Sequence, residues 1–409
     1  MTAERHIELD AIRGFAVMGI VLMNVFFFAM PSAAYYNPRA WGGMDAPDLI
    51  AWTASFIFVE DKMRGLFLAL FGASAMLVID KARKRGASGA LTHWKRMGWL
   101  LVFGLIHGLL LANNDILRLY AITGLLLPLF ANLSVCALIV WAGALLSVHL
   151  AASGYIAINW LTAYRYVETH PEEADLLIMQ ERIFGVDMTA IEAQLALHRG
   201  DYLSVVTGRL ANFEGPLLSL VALLPITLSG MLLGVAMVRS GMVTGGWTDG
   251  QYRRWALIGF GVAAPPLAAL AYWAFATDFA AVIIGANSFA WSAPFDMLMT
   301  VGWAAVLMLM IRRFADSALI VRMAAAGRVA LTNYIATSVV LGSVFFGWGL
   351  GLYGQVGRAE AYLFAAAVCA MMLIWSAPWL RRYRYGPLEW LWRSLARWEL
   401  QPLRGSANR

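Results

Sequence analysis

The chain has 409 residues, 61% of them hydrophobic and 14% charged, with a mean hydropathy of +0.66. That is too apolar for a string of soluble domains and points to an all-α polytopic membrane protein. The formal charge of +6 argues for no nucleic-acid partner, because the basic residues sit in short connections beside apolar runs, as the inner loops of membrane proteins do.

In chain order, a window of about 19 residues places about ten spans, with nine to eleven the range. They fall at roughly 11–30, 62–79, 95–112, 116–131, 134–153, 216–238, 255–275, 294–311, 329–348 and 361–380. The N-terminus imitates a secretion signal, with Arg5, an apolar run and Ser32-Ala33-Ala34. Asp10 and Arg13 interrupt it, however, and the run from Ala11 to Met30 is long enough to span, so an uncleaved helix is expected. Residues 48–60 form either an interfacial helix leading into the second span or part of one long tilted helix. Cys136 and Cys369 lie singly inside spans and give neither a disulfide framework nor a metal motif.

Orientation follows from the basic residues. With the N-terminus inside, Arg5, Arg13, Lys81, Arg83, Lys84, Arg85, Lys95, Arg96, Arg239, Arg253, Arg254, Arg312, Arg313, Arg322, Arg328 and the arginines after Leu380 all fall on one side, so both termini are expected in the cytoplasm. Four segments result: 1–154 with five spans and the candidate core, an extracytoplasmic helical insertion at 155–213, five more spans in 214–380, and a cytoplasmic amphipathic tail at 381–409. The insertion is acidic (Glu168, Glu172, Glu173, Asp175, Glu181, Asp187, Glu192, Asp201), Pro171 suits a first helical turn, and Leu176, Leu177, Ile183, Ile191, Leu195 and Leu203 recur at helical spacing. In the tail, Trp390, Trp392 and Trp398 among arginines read as an interfacial helix.

Polar groups meet at one depth. Asn24 lies about 21 Å along the first span from Asp10, and His107 roughly 16 Å along the third from Arg96, at 1.5 Å per residue. Asp115 closes the third span, and Glu60, Lys62 and Arg64 open the second. Ionisable side chains in or beside hydrocarbon are costly unless paired or facing a polar cavity, so the convergence marks a candidate site. Each residue also has a plain structural role open to it. His107 and Asn24 can be helix–helix hydrogen-bonding groups, Glu60 and Arg64 an i, i+4 pair, Asp115 a helix cap, and Asp10 with Arg13 an interface pair. His107 is the buried group whose ordinary pKa lies near neutrality, so it suits proton transfer from an attacking hydroxyl or amine, oriented by Asp115 or Glu60. No nucleophile elbow, phosphate-cradling glycine loop, zinc spacing or haem motif occurs, and no metal is expected.

Several motifs together resemble the YeiB-like bacterial membrane proteins. They are Leu9-Asp10-Ala11-Ile12-Arg13-Gly14-Phe15 leading to Asn24, Asn37-Pro38, Trp41-Gly42-Gly43, Glu60, Lys62 and Arg64 with Leu66-Phe67, and Phe71-Gly72-Ala73. Further on come Phe103-Gly104-Leu105-Ile106-His107, Asp115-Ile116-Leu117, Tyr120-Ala121, Gly327-Arg328 and Leu331-Thr332-Asn333-Tyr334. The tail Tyr383-Arg384-Tyr385-Gly386-Pro387-Leu388-Glu389-Trp390-Leu391-Trp392-Arg393 is the most distinctive part. The resemblance implies kinship with the transmembrane acyltransferases, among them the lysosomal heparan-α-glucosaminide N-acetyltransferase, which shares the spacing from Asp-x-x-Arg-Gly to the asparagine. The relative's catalytic histidine follows that asparagine by eleven residues, where this chain has Tyr35. The resemblance therefore moves proton transfer to His107. Before Ser338 this chain has Thr337, where the family pattern leads one to expect glutamine.

The implied activity is one-step acyl transfer from cytoplasmic acyl-CoA, acetyl-CoA the simplest, to an extracytoplasmic hydroxyl or amine on a small molecule, glycan or lipid. Arg13, Arg322, Arg328 and Asn333 would hold the co-substrate, Lys62 or Arg64 the oxyanion, and Asn24 a neutral hydrogen bond. The expected setting is multi-pass in the bacterial cytoplasmic (inner) membrane, with the lipid bilayer as partner and a homodimer allowed by paired apolar faces. The alternatives are a transporter or channel for a small polar solute, which buried charges also suit, and a structural or regulatory membrane protein docked through its tail.

Overall fold

The computed structural model describes residues 7–211 and 214–404, without the side chains of 214–219; Arg5, Arg409 and residues 212–213 of the expected insertion lie outside the described residues. The described chain is helical, with one isolated bridge between Tyr383 and Arg404. The first half comprises α1 (Ile7–Ala29), α2 (Ala33–Tyr36), α3 (Ala46–Phe58), α4 (Lys62–Arg83), α5 (Gly89–Leu110), α6 (Leu117–Gly124) and α7 (Val135–Thr169). After these come α8 (Ile178–Phe184), α9 (Met188–Arg199), α10 (Tyr202–Ala211), α11 (Glu214–Arg239), α12 (Asp249–Ala276) and α13 (Ala281–Ala286). The chain closes with α14 (Ala293–Arg313), α15 (Ala318–Arg328), α16 (Ala330–Phe345), α17 (Arg358–Arg382) and α18 (Pro387–Arg397).

Among the described residues, seven helices are long and apolar enough to cross a membrane, or eight if the bent pair α15 and α16 counts as one span. The difference from the expected ten has local causes. The stretch 116–131 is the eight-residue α6 followed by a 3₁₀ turn at Leu127–Phe130, where Pro128 offers no backbone N–H to continue the helix. α5 has spanning length but carries His93, Lys95 and Arg96 in its first turns. The stretch 329–348 is α16, set off from α15 by an 85° bend. α3 and α4 pass as one apolar run, Ala46–Arg83, interrupted at Val59–Asp61 where Asp61 takes φ 60. α7 runs to Thr169, well past the expected end of its span at 153.

The insertion after α7 is helical as expected, with Pro171 in the first turn of a 3₁₀ helix and Asp187 capping α9 by accepting from the N–H groups of Thr189 and Ala190. Of its apolar positions Leu177, Ile191 and Leu195 are buried, while Leu176, Ile183 and Leu203 are exposed.

α1 is the central helix, buried along most of its length and packed on α4, α15, α16 and α17. Its crossing with α15 is set by two small residues. A Cβ on Gly14 would fall 1.9 Å from the Met323 carbonyl oxygen, and one on Gly327 1.9 Å from that of Asp10, so both positions demand glycine if the two backbones are to touch. Close approach through small residues is how helices gain contact where lipid offers no hydrophobic contrast. Two sequence motifs, the Arg13-Gly14 opening and Gly327-Arg328, are thus two sides of one helix contact.

Candidate functional site

His107 sits in the last turn of α5, and the chain leaves that helix through residues 111–116, with the N–H groups of Leu111 and Ala112 both closing on the His107 carbonyl. The turn carries Asp115 back to the histidine, so that His107 Nδ1 lies 2.8 Å from Asp115 Oδ1. The glycines either side make room, since a Cβ on Gly104 would meet Asp115 Oδ2 at 2.8 Å and one on Gly108 would meet Arg118 Cζ at 2.9 Å. The second carboxylate oxygen accepts from the Arg118 N–H at 2.9 Å and faces its guanidinium at 3.4 Å. Asp115 therefore caps α6, as one sequence reading held, and orients His107 as the other held.

On its far side His107 Nε2 lies 2.8 Å from Ser338 Oγ on α16. A carboxylate can only accept, so Nδ1 carries the proton and donates to Asp115. Nε2 is then the basic nitrogen, accepting from the Ser338 hydroxyl. All three groups are buried. Tyr334, one turn before Ser338 on the same face, sets its ring 5.0 Å from the imidazole and accepts from the Ile116 N–H at 3.3 Å. Asn24 joins from α1, its Oδ1 accepting from Asn114 Nδ2 at 3.4 Å.

The charged group at the α3–α4 break forms a second cluster. Lys62 is buried, its Nζ 2.6 Å from Asp296 Oδ1 at the start of α14 and also donating to the Phe56 carbonyl. Arg64 pairs with Asp61, and the Glu60–Arg64 pair that the spacing left open does not form, because residue 60 is not in one continuous helix with residue 64 and the i, i+4 geometry is lost. Glu60 gives its backbone N–H to the Ser55 carbonyl, and it lines a narrow crevice with Tyr35, Trp52, Ser55, Met23, Phe26 and Arg358. Arg358 is fully buried, donates to the Ala34 carbonyl and lies 4.4 Å over the Phe26 ring. Tyr120 spans the two clusters, since it follows the Asp115 turn and its hydroxyl lies 3.4 Å from the Arg64 carbonyl.

Of the residues expected to hold a co-substrate, Arg13, Arg322 and Arg328 lie on α1 and α15, away from His107, whereas Asn333 directly precedes Tyr334 on α16. Arg13 meets Asp10 at 3.2 Å, as expected, and Ser74 Oγ at 2.5 Å. Arg322 is exposed, and Arg328 lies 3.4 Å from the Arg384 carbonyl. Asn333 is occupied within the fold, with Nδ2 on the Ala326 carbonyl and Ser376 and Oδ1 accepting from Trp375 Nε1, so it ties the α15–α16 bend to α17. Glu389 of the tail accepts from the N–H groups of Leu331 and Thr332 at 2.7 and 3.1 Å and from the Thr332 hydroxyl at 2.7 Å. It caps α16, which has no cap of its own.

Sequence reasoning thus brought His107, Asp115 and Asn24 to one place correctly and passed over Ser338, Tyr334, Asp296 and Arg358. Tyr334 and Ser338 were findable as an i, i+4 pair, and Asp296 as an acid at the head of an apolar run.

The model of a family described as "Protein of unknown function (DUF418)" matches residues 237–399. No solved structure matches the chain. The uncharacterized protein YxaH of Bacillus subtilis (strain 168) is 28% identical over 416 residues, covering 98% of this chain and 97% of its own. The uncharacterized protein YeiB of Escherichia coli (strain K12) is 30% identical over 409 residues, covering 96% of both chains. With identity at that level along nearly its whole length, this chain belongs to the YeiB-like, DUF418 family of proteins.

Proposed function

We propose that the chain is a transmembrane acyltransferase. It would take an acyl group, acetyl the simplest, from acyl-CoA on the cytoplasmic side and deliver it to a hydroxyl or amine of a glycan, lipid or small molecule on the far side of a bacterial cytoplasmic membrane. Both termini lie in the cytoplasm in this reading, which puts the arginine-rich end inside and His107 in the outer half. The observation that carries the proposal is His107 held at 2.8 Å from Asp115 on one nitrogen and 2.8 Å from a hydroxyl on the other.

In this reading Nε2 takes the acceptor's proton as its oxygen or nitrogen attacks the thioester carbonyl, and Asp115 stabilises the imidazolium that forms. The proton then passes to the departing CoA sulfur. Asn24, already beside the Asp115 turn, would supply a neutral hydrogen bond to the oxyanion, and Arg64, half-exposed, a cationic one. Lys62 is committed to Asp296 and fixes the α3–α4 break against α14. Arg13, Arg322 and Arg328 remain as cytoplasmic contacts for the CoA phosphates.

The test is acetyl-CoA binding and CoA release by the purified protein, with and without candidate acceptors. Saturable binding, weakened in Arg13→Gln or Arg328→Gln, is expected. No binding of any acyl-CoA or of free CoA would overturn the reading.

A second reading, transport of a small polar solute, is favoured by the 85° break between α15 and α16, since broken helices line transporter sites. Selective counterflow in proteoliposomes without CoA release would bring it forward.

A further inference from the structure

We propose that Ser338 is a nucleophile, carrying the acyl group as an ester between donor and acceptor. The inference rests on the acyl-transfer reading for its donor and goes beyond the direct transfer expected from the sequence.

A buried serine or threonine in an apolar helix usually gives its proton to the carbonyl four residues back. Ser153, Thr300, Thr337 and Ser376 all do so here, to His149, Asp296, Asn333 and Met372. Ser338, next to Thr337, does not. Its hydroxyl turns to His107 Nε2 at 2.8 Å, from a helix more than two hundred residues away in sequence. Nucleophile, base and orienting carboxylate are then in hydrogen-bonded order, Ser338–His107–Asp115, with Asp115 itself held by Arg118. Activation of a serine needs that arrangement, and fold and chain order are immaterial to it. This serine lies within a helix and not on a strand-to-helix elbow, so no nucleophile motif marks it.

The steps balance. Ser338 Oγ attacks the thioester carbonyl carbon while its proton moves to His107 Nε2. The C–S bond breaks, CoA leaves as the thiol with that proton, and the acyl group remains as a serine ester. An acceptor hydroxyl or amine then gives its proton to Nε2 and attacks the ester. The C–Oγ bond breaks, and the proton returns to Ser338.

Two probes on the full-length protein in detergent test this. A fluorophosphonate reagent should label Ser338, as located by peptide mass mapping, with loss of fluoride. Labelling should vanish in Ser338→Ala and slow by about 10²-fold or more in His107→Gln. Acetyl-CoA should give a burst of CoA equal to the protein present and an acetyl ester trapped on Ser338, and Ser338→Cys should trap the acetyl as a thioester. No fluorophosphonate adduct and no acetyl ester at Ser338 in well-folded wild-type protein overturns the proposal. So does Ser338→Ala protein that transfers acetyl at the wild-type rate, in which case acyl transfer itself stands. Labelling of Ser338 without any release of CoA sustains the nucleophile and removes the acyl-CoA reading.

Discussion

His107 Nδ1 and Asp115 Oδ1, eight residues apart, meet at 2.8 Å across the turn that ends α5. A histidine fixed on one nitrogen by a carboxylate presents the other as a base of set direction. His107→Gln should lower the rate of acyl transfer by about 10²–10⁴-fold, and Asp115→Asn comparably. The two should differ in stability. Asp115→Asn takes the counter-charge from buried Arg118 and should cost about 1–3 kcal/mol, whereas His107→Gln leaves that pair intact. Unfolding in detergent beside acyl-transfer rates checks both, and equal stability of the two variants would contradict the role given to Arg118.

Lys62 and Asp296 form a buried ion pair at 2.6 Å. Removing one partner strands the other charge, so Lys62→Met should cost about 3–5 kcal/mol, while the double change Lys62→Met with Asp296→Leu should recover most of it. A double-mutant cycle on unfolding reads the coupling, and additive losses would refute it.

The α1–α15 crossing depends on Gly14 and Gly327, where an added Cβ would lie 1.9 Å from a carbonyl oxygen of the facing helix. Gly327→Ala should therefore push the helices apart and lower the unfolding temperature. Gly98→Ala, with nothing within 4 Å of the new Cβ, should change stability little. Thermal unfolding of the two single variants provides the comparison.

Glu389 supplies the cap that α16 lacks, through three hydrogen bonds. Glu389→Ala leaves two backbone N–H groups and a hydroxyl unpaired and should cost about 1–3 kcal/mol, felt first as exposure of the tail. Faster proteolysis between Arg382 and Arg397 is the expected signature, and wild-type protection would count against the cap.

In the insertion, His198 stacks on Tyr353 at 4.6 Å, meets the tilted Phe346 ring at 4.9 Å and gives Nδ1–H to the Gln194 carbonyl at 2.9 Å. Burial pulls its pKa from the usual 6.5 to about 4. The folded state therefore prefers the neutral ring. That preference contributes stability in full above 6.5, and the contribution is lost as pH falls from 6.5 toward 4. Amide exchange in α9 should rise through that window, and His198→Phe should flatten the response. Exchange that stays constant on acidification would contradict the assignment.

The tail shows how a motif can be plain in sequence while its purpose is not. Gly386-Pro387-Leu388-Glu389 reads as the start of an amphipathic helix, and so it is. That Glu389 closes the end of another helix is invisible until the α15–α16 bend places Leu331 and Thr332 beside it. Asn333 shows the same, since a polar residue in an apolar run suggests a ligand, and its amide turns out to brace the bend. The Glu60–Arg64 pair, one of two roles the spacing left open, fails for a related reason, because i, i+4 spacing assumes an unbroken helix and Asp61 breaks it at φ 60.

The sequence by itself determined the apolar, helical character of the chain and how far along their helices His107, Asp115 and Asn24 lie. Those follow from hydropathy and rise per residue, which accumulate along the chain and need no partner. Which polar groups meet was decided by the tertiary structure alone. A helix places each side chain by its rotation and crossing, and these are fixed by contacts such as Gly14 on Gly327, hundreds of residues apart. That is why Ser338 reaches His107 and why Lys62 belongs to Asp296.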